Sequence, residues 1–258
     1  MKYKVVFFDV DGTLTDHQTG EISASTRRAI RSLQRKQILV VAATGRPLSM
    51  CNELRDLGIT TFITANGGLV THHDEVIYHT SMSEKIVQAI ETFAWEHQHA
   101  LSFYSQGFHM NGVKNEAVHL ALKETLSLTT YPSIRPIHAK DPIHLLCLFA
   151  DEATEHLYKA AFPTLHFRRW HPYILNVLEE NIDKALALKS VLRYFNMDQS
   201  QAVAFGDGHN DIDMLSFASI GVAMENGSEK LKQIANYVTK PASENGIELA
   251  LKHFHLIE

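Results

Sequence analysis

Short, unbroken apolar runs that end abruptly in polar residues recur along the chain. Val5 to Phe8 is the first, and Asp9, Asp11 and Gly12 follow it at once. Continuous apolar character over four β-favouring residues predicts a strand buried on both faces, as in a parallel sheet. Ser25 to Lys36 carries Ala29, Ile30 and Leu33 at helical spacing. Ile38 to Ala42 is a second strand, ending at Thr44 and Gly45. Pro47 suits the first turn of a helix running towards Leu57. Thr61 to Thr64 is a third strand, closed by Asn66-Gly67-Gly68. This alternation of strands and helices predicts a parallel sheet covered by helices.

The pattern changes in the middle of the chain. Helices are expected over Glu84 to His97, Asn115 to Leu126 and Glu152 to Ala161. Strands are expected over Leu101 to Ser105, Ile143 to Phe149, Leu165 to Trp170 and Tyr173 to Leu178. The last two flank His171-Pro172 and read as an antiparallel hairpin. The first pattern then returns. Asp183 to Phe195 is expected as a helix, Ala202 to Phe205 as a strand, and Asp211 to Phe217 as a short helix. Ile220 to Met224 reads as a strand, and Glu229 to Ala235 and Glu244 to His253 as helices. The organisation expected is an α/β domain of residues 1–82 and 179–258, interrupted by an α+β domain of residues 83–178.

Composition narrows the class. The 258 residues are 45% hydrophobic and 21% charged, which is ordinary for a globular protein and excludes disorder or a collagen-like repeat. The net charge is −5 with histidines neutral, so a general affinity for nucleic acid or an anionic membrane is not expected. No apolar stretch is long enough for a membrane span or a signal peptide. Cys51 and Cys147 lie far apart in unrelated contexts and read as two thiols rather than a disulfide framework. A reducing cytoplasm is the compartment expected. The 16 histidines do not adopt a zinc-binding spacing, and GxxxxGK[ST] is missing.

Candidate chemistry gathers where strands end. Ligands of open parallel sheets bind outside the carboxyl ends of the strands. Four such ends here carry polar groups: Asp9/Asp11, Thr44/Arg46, Asn66 and Asp207/Asn210/Asp211. Converging carboxylates repel one another and need compensation, and an all-oxygen donor set favours Mg²⁺. Asp9 and Asp11, two apart before a turn-forming Gly12, can divide labour between nucleophile and general acid–base. Arg168-Arg169 lie on alternate faces of one strand, so only one of them can serve an anionic substrate.

These residues also carry a resemblance. Val5-Val6-Phe7-Phe8-Asp9-Val10-Asp11-Gly12-Thr13, Ala43-Thr44-Gly45-Arg46, Lys184 and Gly206-Asp207-Gly208-His209-Asn210-Asp211 follow one another in the order of the four motifs of the haloacid dehalogenase-like hydrolase superfamily. Asn66-Gly67 and Gly221-Val222-Ala223-Met224 extend the match. The chain resembles, more narrowly, the Cof-type phosphatases with an inserted C2B cap. The resemblance implies a Rossmann-like core and Mg²⁺-dependent hydrolysis of phosphomonoesters through an aspartyl-phosphate. The partner it implies is a small phosphorylated metabolite, with sugar phosphates first.

By position in the motifs, the resemblance makes Asp9 the nucleophile and Asp11 the acid and base. Mg²⁺ would take Asp9, the Asp11 carbonyl and Asp207, with Asp211 holding a metal-bound water or placing Lys184. Thr44 and Lys184 would contact the phosphoryl group, and Gly45, Arg46, Asn66 and Asn210 are further substrate-binding candidates. A phosphotransferase or phosphomutase of the same fold, and a non-catalytic phosphometabolite-binding protein, are the competing readings. The chain departs from the family pattern at Ala185, at Thr15-Asp16 and at Asn245-Gly246, where an Asp-Gly pair is common. Nothing in the sequence bears on oligomeric state.

Overall fold

The computed structural model describes residues 2–73, 75–136, 139–179 and 184–258. The chain divides into two compact units. One takes the described parts of 1–46, 50–79 and 183–258, and the other those of 47–49 and 80–182.

The first unit begins with β1 (Val5–Phe8), α1 (Ala24–Arg35), β2 (Leu39–Ala43), α2 (Asn52–Arg55), β3 (Thr61–Thr64), β4 (Leu69–His72) and β5 (Glu75–His79). The second unit holds α3 (Glu84–Glu96), β6 (Ala100–Tyr104), β7 (Phe108–Met110), α4 (Glu116–Leu126), β8 (Leu145–Phe149), α5 (Glu152–Ala161), β9 (His166–His171) and β10 (Ile174–Leu178). The first unit resumes with α6 (Lys184–Tyr194), β11 (Ala202–Gly206), α7 (Ile212–Phe217), β12 (Ile220–Met224), α8 (Glu229–Ile234), β13 (Tyr237–Thr239) and α9 (Gly246–His253). The expected start of α6 at position 183 lies outside the described residues.

The sheet of the first unit runs β13-β12-β11-β1-β2-β3-β4-β5. Its first six strands are mutually parallel, and β4 and β5 add an antiparallel edge. From β1 the chain moves outward through β2 and β3 on one side and returns to β11 on the other. The carboxyl ends of β1, β2 and β11 therefore border a topological switch point, the place where such sheets leave a crevice. The continuous apolar runs have the expected cause: every residue of β1, β3, β11 and β12 is buried. Val5, Phe7, Val41 and Ala43 pack with Ala187, Leu188 and Val191 of α6 and Met214 and Leu215 of α7. Each of the valine, leucine, phenylalanine and methionine side chains among these contributes roughly 1.5–3 kcal/mol when fully buried. This packing fixes α6 so that its first residue, Lys184, stands at the strand ends.

The second unit is an antiparallel sheet of order β7-β6-β8-β10-β9. Leu101, Phe103, Leu146, Leu148, Leu175 and Val177 pack with Ile90 of α3 and Tyr158 of α5. The β9–β10 hairpin is antiparallel, as its turn predicts. Arg169 donates to Glu155 at 2.7 and 3.0 Å and to the Ala150 and Pro172 carbonyls, whereas Arg168 alternates to the other face of β9 and is exposed.

Three local expectations change. β4, β5 and β7 were not legible as strands. The helix expected from Pro47 breaks into a single 3₁₀ turn (Leu48–Met50) and the four-residue α2, and Gly58 at φ 78° ends that stretch. The helix expected from Glu244 begins at Gly246, because Asn245 is left-handed at φ 63°. At Gly246 a Cβ would lie 1.7 Å from the Lys240 carbonyl oxygen. The Asn-Gly pair thus meets a backbone requirement, which Asn satisfies because its side chain tolerates the left-handed region. Cys51 and Cys147 are both buried and form no disulfide with each other. Among the described residues, no helix is long and apolar enough to cross a membrane.

Candidate active site

Asp9 is the first residue beyond β1, and its N–H still donates to the Phe205 carbonyl at 2.9 Å. Its carboxylate is thereby placed at the strand end, 6% exposed. Lys184 Nζ donates to Asp9 Oδ1 and to Asp211 Oδ1, both at 2.6 Å. Lys184 and Asp211 are fully enclosed, at 2% and 0% exposure. The second oxygen of Asp211 accepts from the N–H groups of Asp207 (3.1 Å) and Gly208 (2.9 Å), so this side chain also shapes the loop after β11. Gly206 makes room for it, since a Cβ there would meet Asp211 Cβ at 2.6 Å.

Asp207 completes an acidic centre. One carboxylate oxygen from each of Asp9, Asp207 and Asp211 falls in a set whose members lie within 4.8 Å of one another. Asp207 is oriented by Thr13, whose hydroxyl donates to Oδ1 at 2.9 Å, and by Asn226, whose amide donates to Oδ2 at 3.3 Å. Gly12, at φ 85°, lets the two loops meet, because a Cβ there would be 2.3 Å from Asp207 Oδ2.

Three carboxylates here share one ammonium. Burial pushes the Asp9 carboxyl well above the usual range, and the Asp211 charge adds to this against the opposing pull of Lys184. Asp207 is pushed up to about 6 by burial and then by Asp211. Burial works against the charge on Lys184, but Asp211 and Asp9 outweigh it and hold its pKa above the ordinary lysine value. The cluster carries an excess of two negative charges when all three acids are ionised. An all-oxygen set with that excess fits a hard divalent cation, and Mg²⁺ suits it in donor type and in charge.

Asp11 does not join this centre through its side chain, which is exposed and faces Arg46. Arg46 Nε donates to Asp11 Oδ2 at 3.0 Å and Nη2 to Oδ1, while Nη1 donates to Glu53 Oε1 at 3.1 Å. Thr44 is buried at the end of β2, where its hydroxyl accepts from the Arg46 N–H at 3.0 Å and keeps its own proton for donation. Gly45 lies against Asn66: a Cβ there would be 3.1 Å from Asn66 Oδ1. That same oxygen accepts from the Asn210 amide at 3.1 Å, which ties the loop after β3 to the loop after β11. The predicted residues thus form a group of buried Asp9, Lys184 and Asp211 with half-buried Asp207, an Asp11–Arg46 pair and an Asn66–Asn210 pair. All belong to the first unit.

Three contributors escaped the sequence reading of the site. Thr13 closes the first motif with no role assigned to it there, and its hydroxyl goes to Asp207. Glu53 sits on α2 and gave no signal in a helix of unremarkable composition. Asn226 did have a signal, because it follows β12 and so obeys the strand-end rule that picked out the other four positions.

Comparison with known proteins agrees with this arrangement. A family model described as haloacid dehalogenase-like hydrolase matches residues 6–251. A putative phosphatase of Bacillus subtilis (strain 168), YkrA, is 35% identical over 260 residues, covering 100% of both chains. A crystal structure of a hypothetical protein from Geobacillus kaustophilus HTA426 superposes with a TM-score of 0.91 at 34% identity, covering 99% of this chain and 100% of the other. The sugar phosphatase BT4131, of subclass IIB of the same superfamily, superposes with a TM-score of 0.86 at 32% identity over 98% of this chain and 100% of its own.

Proposed function

Because the chain belongs to the haloacid dehalogenase-like hydrolase family, we propose that it is a Mg²⁺-dependent phosphomonoester hydrolase acting on small phosphorylated metabolites, sugar phosphates first. The observation that carries this reading is Asp9 held 2.6 Å from Lys184 in an acidic centre that is two positive charges short of neutrality. Such a centre suits an anionic substrate only when a cation is added, and phosphoryl transfer depends chiefly on positioning and on cationic stabilisation of the equatorial oxygens.

In this reading Asp9 and Asp207, with the backbone carbonyl of Asp11, would hold the ion, with Asp211 beside them placing Lys184; when bound, the ion would supply positive charge to the transferring phosphoryl group. The Asp9 carboxylate attacks phosphorus and forms an aspartyl-phosphate. Lys184 favours the ionised form of that carboxylate against its burial and offsets charge on the phosphoryl oxygens. The Thr44 hydroxyl donates to one of those oxygens. Asp11 gives its proton to the departing alkoxide and then takes one from the water that hydrolyses the aspartyl-phosphate. For this it must leave Arg46, whose guanidinium then becomes available to the substrate. Gly45, Asn66 and Asn210 line the approach as substrate-binding candidates. The first unit is the catalytic core in this reading, and the second is a C2B-type cap, the source of leaving-group selectivity.

The sugar-phosphate assignment draws support from the 32% identity to BT4131, a sugar phosphatase. A panel of hexose and pentose phosphates, nucleotides, pyridoxal phosphate and flavin-precursor phosphates, assayed with Mg²⁺ and with chelator, tests it. Release of inorganic phosphate from sugar phosphates, dependent on Mg²⁺, is the result expected. Transfer to an added sugar without phosphate release would make the protein a phosphotransferase. No turnover of any phosphomonoester would overturn the reading.

A further inference from the structure

We propose that Asn226 is a positioning residue of the acidic centre: it fastens the loop that carries Asp9 and Asp11 to Asp207, and so sets how tightly the centre takes a divalent cation. The inference rests on the Mg²⁺ reading above and assigns a role to a residue outside the four motifs. One amide nitrogen, with two hydrogens, serves two loops. Asn226 Nδ2 lies 3.0 Å from the Gly12 carbonyl oxygen and 3.3 Å from Asp207 Oδ2. Gly12 directly follows Asp11, so a single side chain ties the turn after β1 to the first acid after β11.

The backbone around Asn226 is fitted to the same target. The Ser228 N–H donates to the Asp207 carbonyl at 3.0 Å, and the Gly227 N–H to the Met224 carbonyl at 2.9 Å. At Gly227 a Cβ would lie 2.9 Å from the Met224 oxygen and 3.0 Å from the Asp207 oxygen, so the loop after β12 is pressed against Asp207. With Thr13 on Oδ1 and Asn226 on Oδ2, both Asp207 oxygens are oriented by neutral donors. Neutral donors fix direction without cancelling the charge a cation needs. A carboxylate has about four lone-pair sites, so two accepted hydrogen bonds leave capacity for a ligand bond. Partners of this kind typically change metal affinity by 10–100-fold when removed.

The test compares wild type with Asn226→Ala and with the nearly isosteric Asn226→Leu, either of which suffices if the other fails to fold. Mn²⁺ binding is titrated by electron paramagnetic resonance, and kcat is measured against Mg²⁺ concentration. The expected result is a dissociation constant for Mn²⁺ raised about 10-fold or more, with kcat recovering towards wild type at saturating Mg²⁺ and the metal-free melting temperature little changed. Unchanged Mn²⁺ binding, or a kcat that stays low at saturating metal while binding is normal, overturns the proposal. A wild-type protein that takes up no Mn²⁺ overturns the metal reading itself, and this inference with it.

Discussion

Arg46 spans both carboxylate oxygens of Asp11 with a two-pronged guanidinium contact, and its remaining nitrogen, Nη1, donates to Glu53. Planar pairing of this kind fixes geometry as well as charge. If Arg46 works through Asp11, removing either partner should make the loss of the other cheaper. We predict that Arg46→Ala lowers kcat/KM by at least about 10-fold in wild type and by much less in an Asp11→Asn background. The coupling energy expected is roughly 0.5–3 kcal/mol, the range for residues in one network. Additive losses in this double-mutant cycle would mean that Arg46 acts on the substrate independently of Asp11.

Lys184 is the one cation that the buried acids share among the described contacts. Breaking a buried pair by removing one member leaves a charge stranded, at a cost of about 3–5 kcal/mol. Lys184→Met should therefore destabilise the metal-free protein by that order in denaturant unfolding and abolish turnover. Adding Asp211→Asn should restore part of the stability, because one stranded carboxylate is gone while an amide oxygen can still accept a backbone N–H, yet restore no activity. A double variant less stable than Lys184→Met would contradict this charge accounting.

The acid side of the pH profile follows from Asp207. Its pKa in the folded protein is about 6, against 3.8 for an ordinary aspartate. Between those values the metal-free folded state holds a proton that the unfolded chain has released. The stability this contributes is complete below about pH 4 and is lost as pH rises through about 6. With chelator present, the melting temperature should fall between about pH 4 and 6, and less steeply in Asp207→Asn. The raised pKa of Asp9 acts in the same direction, so that variant should not be flat. Saturating Mg²⁺ binds the ionised acids and should reverse the decline at pH 7. Identical slopes in wild type and Asp207→Asn would remove Asp207 as the source.

Most of the core sheet and the buried group was legible because its signals are local. Val5–Phe8, Ala202–Gly206 and Ile220–Met224 are runs unbroken by polar side chains, and only burial on both faces sustains such a run. What followed each run was then a candidate for the crevice. β4 and β5 were missed because Leu69–His72 and Glu75–His79 are short and mixed, and β4 becomes a strand by pairing with β3 and β5 by pairing with β4. The Asp11–Arg46–Glu53 chain was illegible for a different reason. Asp11 and Arg46 are 35 residues apart, and they read as an acid–base and a substrate-binding candidate with no link between them. Only the folded geometry pairs them with each other and adds Glu53. Asn226 lay within reach of the strand-end rule, but its two partners, Gly12 and Asp207, are 214 and 19 residues away.

The central claim is that Asp9 attacks phosphorus while Asp11 moves protons, and Asp11→Asn separates the two steps. p-Nitrophenyl phosphate has a leaving group that needs little protonation, so phosphorylation of Asp9 should survive the substitution, while hydrolysis, which needs the base, should slow by about 10²–10⁴-fold. The measurement is rapid-quench mass spectrometry of Asp11→Asn mixed with p-nitrophenyl phosphate and Mg²⁺. The account predicts a burst of nitrophenol matching the enzyme concentration and a phosphoryl group on the peptide at Asp9. No burst, or a phosphoryl group on any other residue, would contradict it.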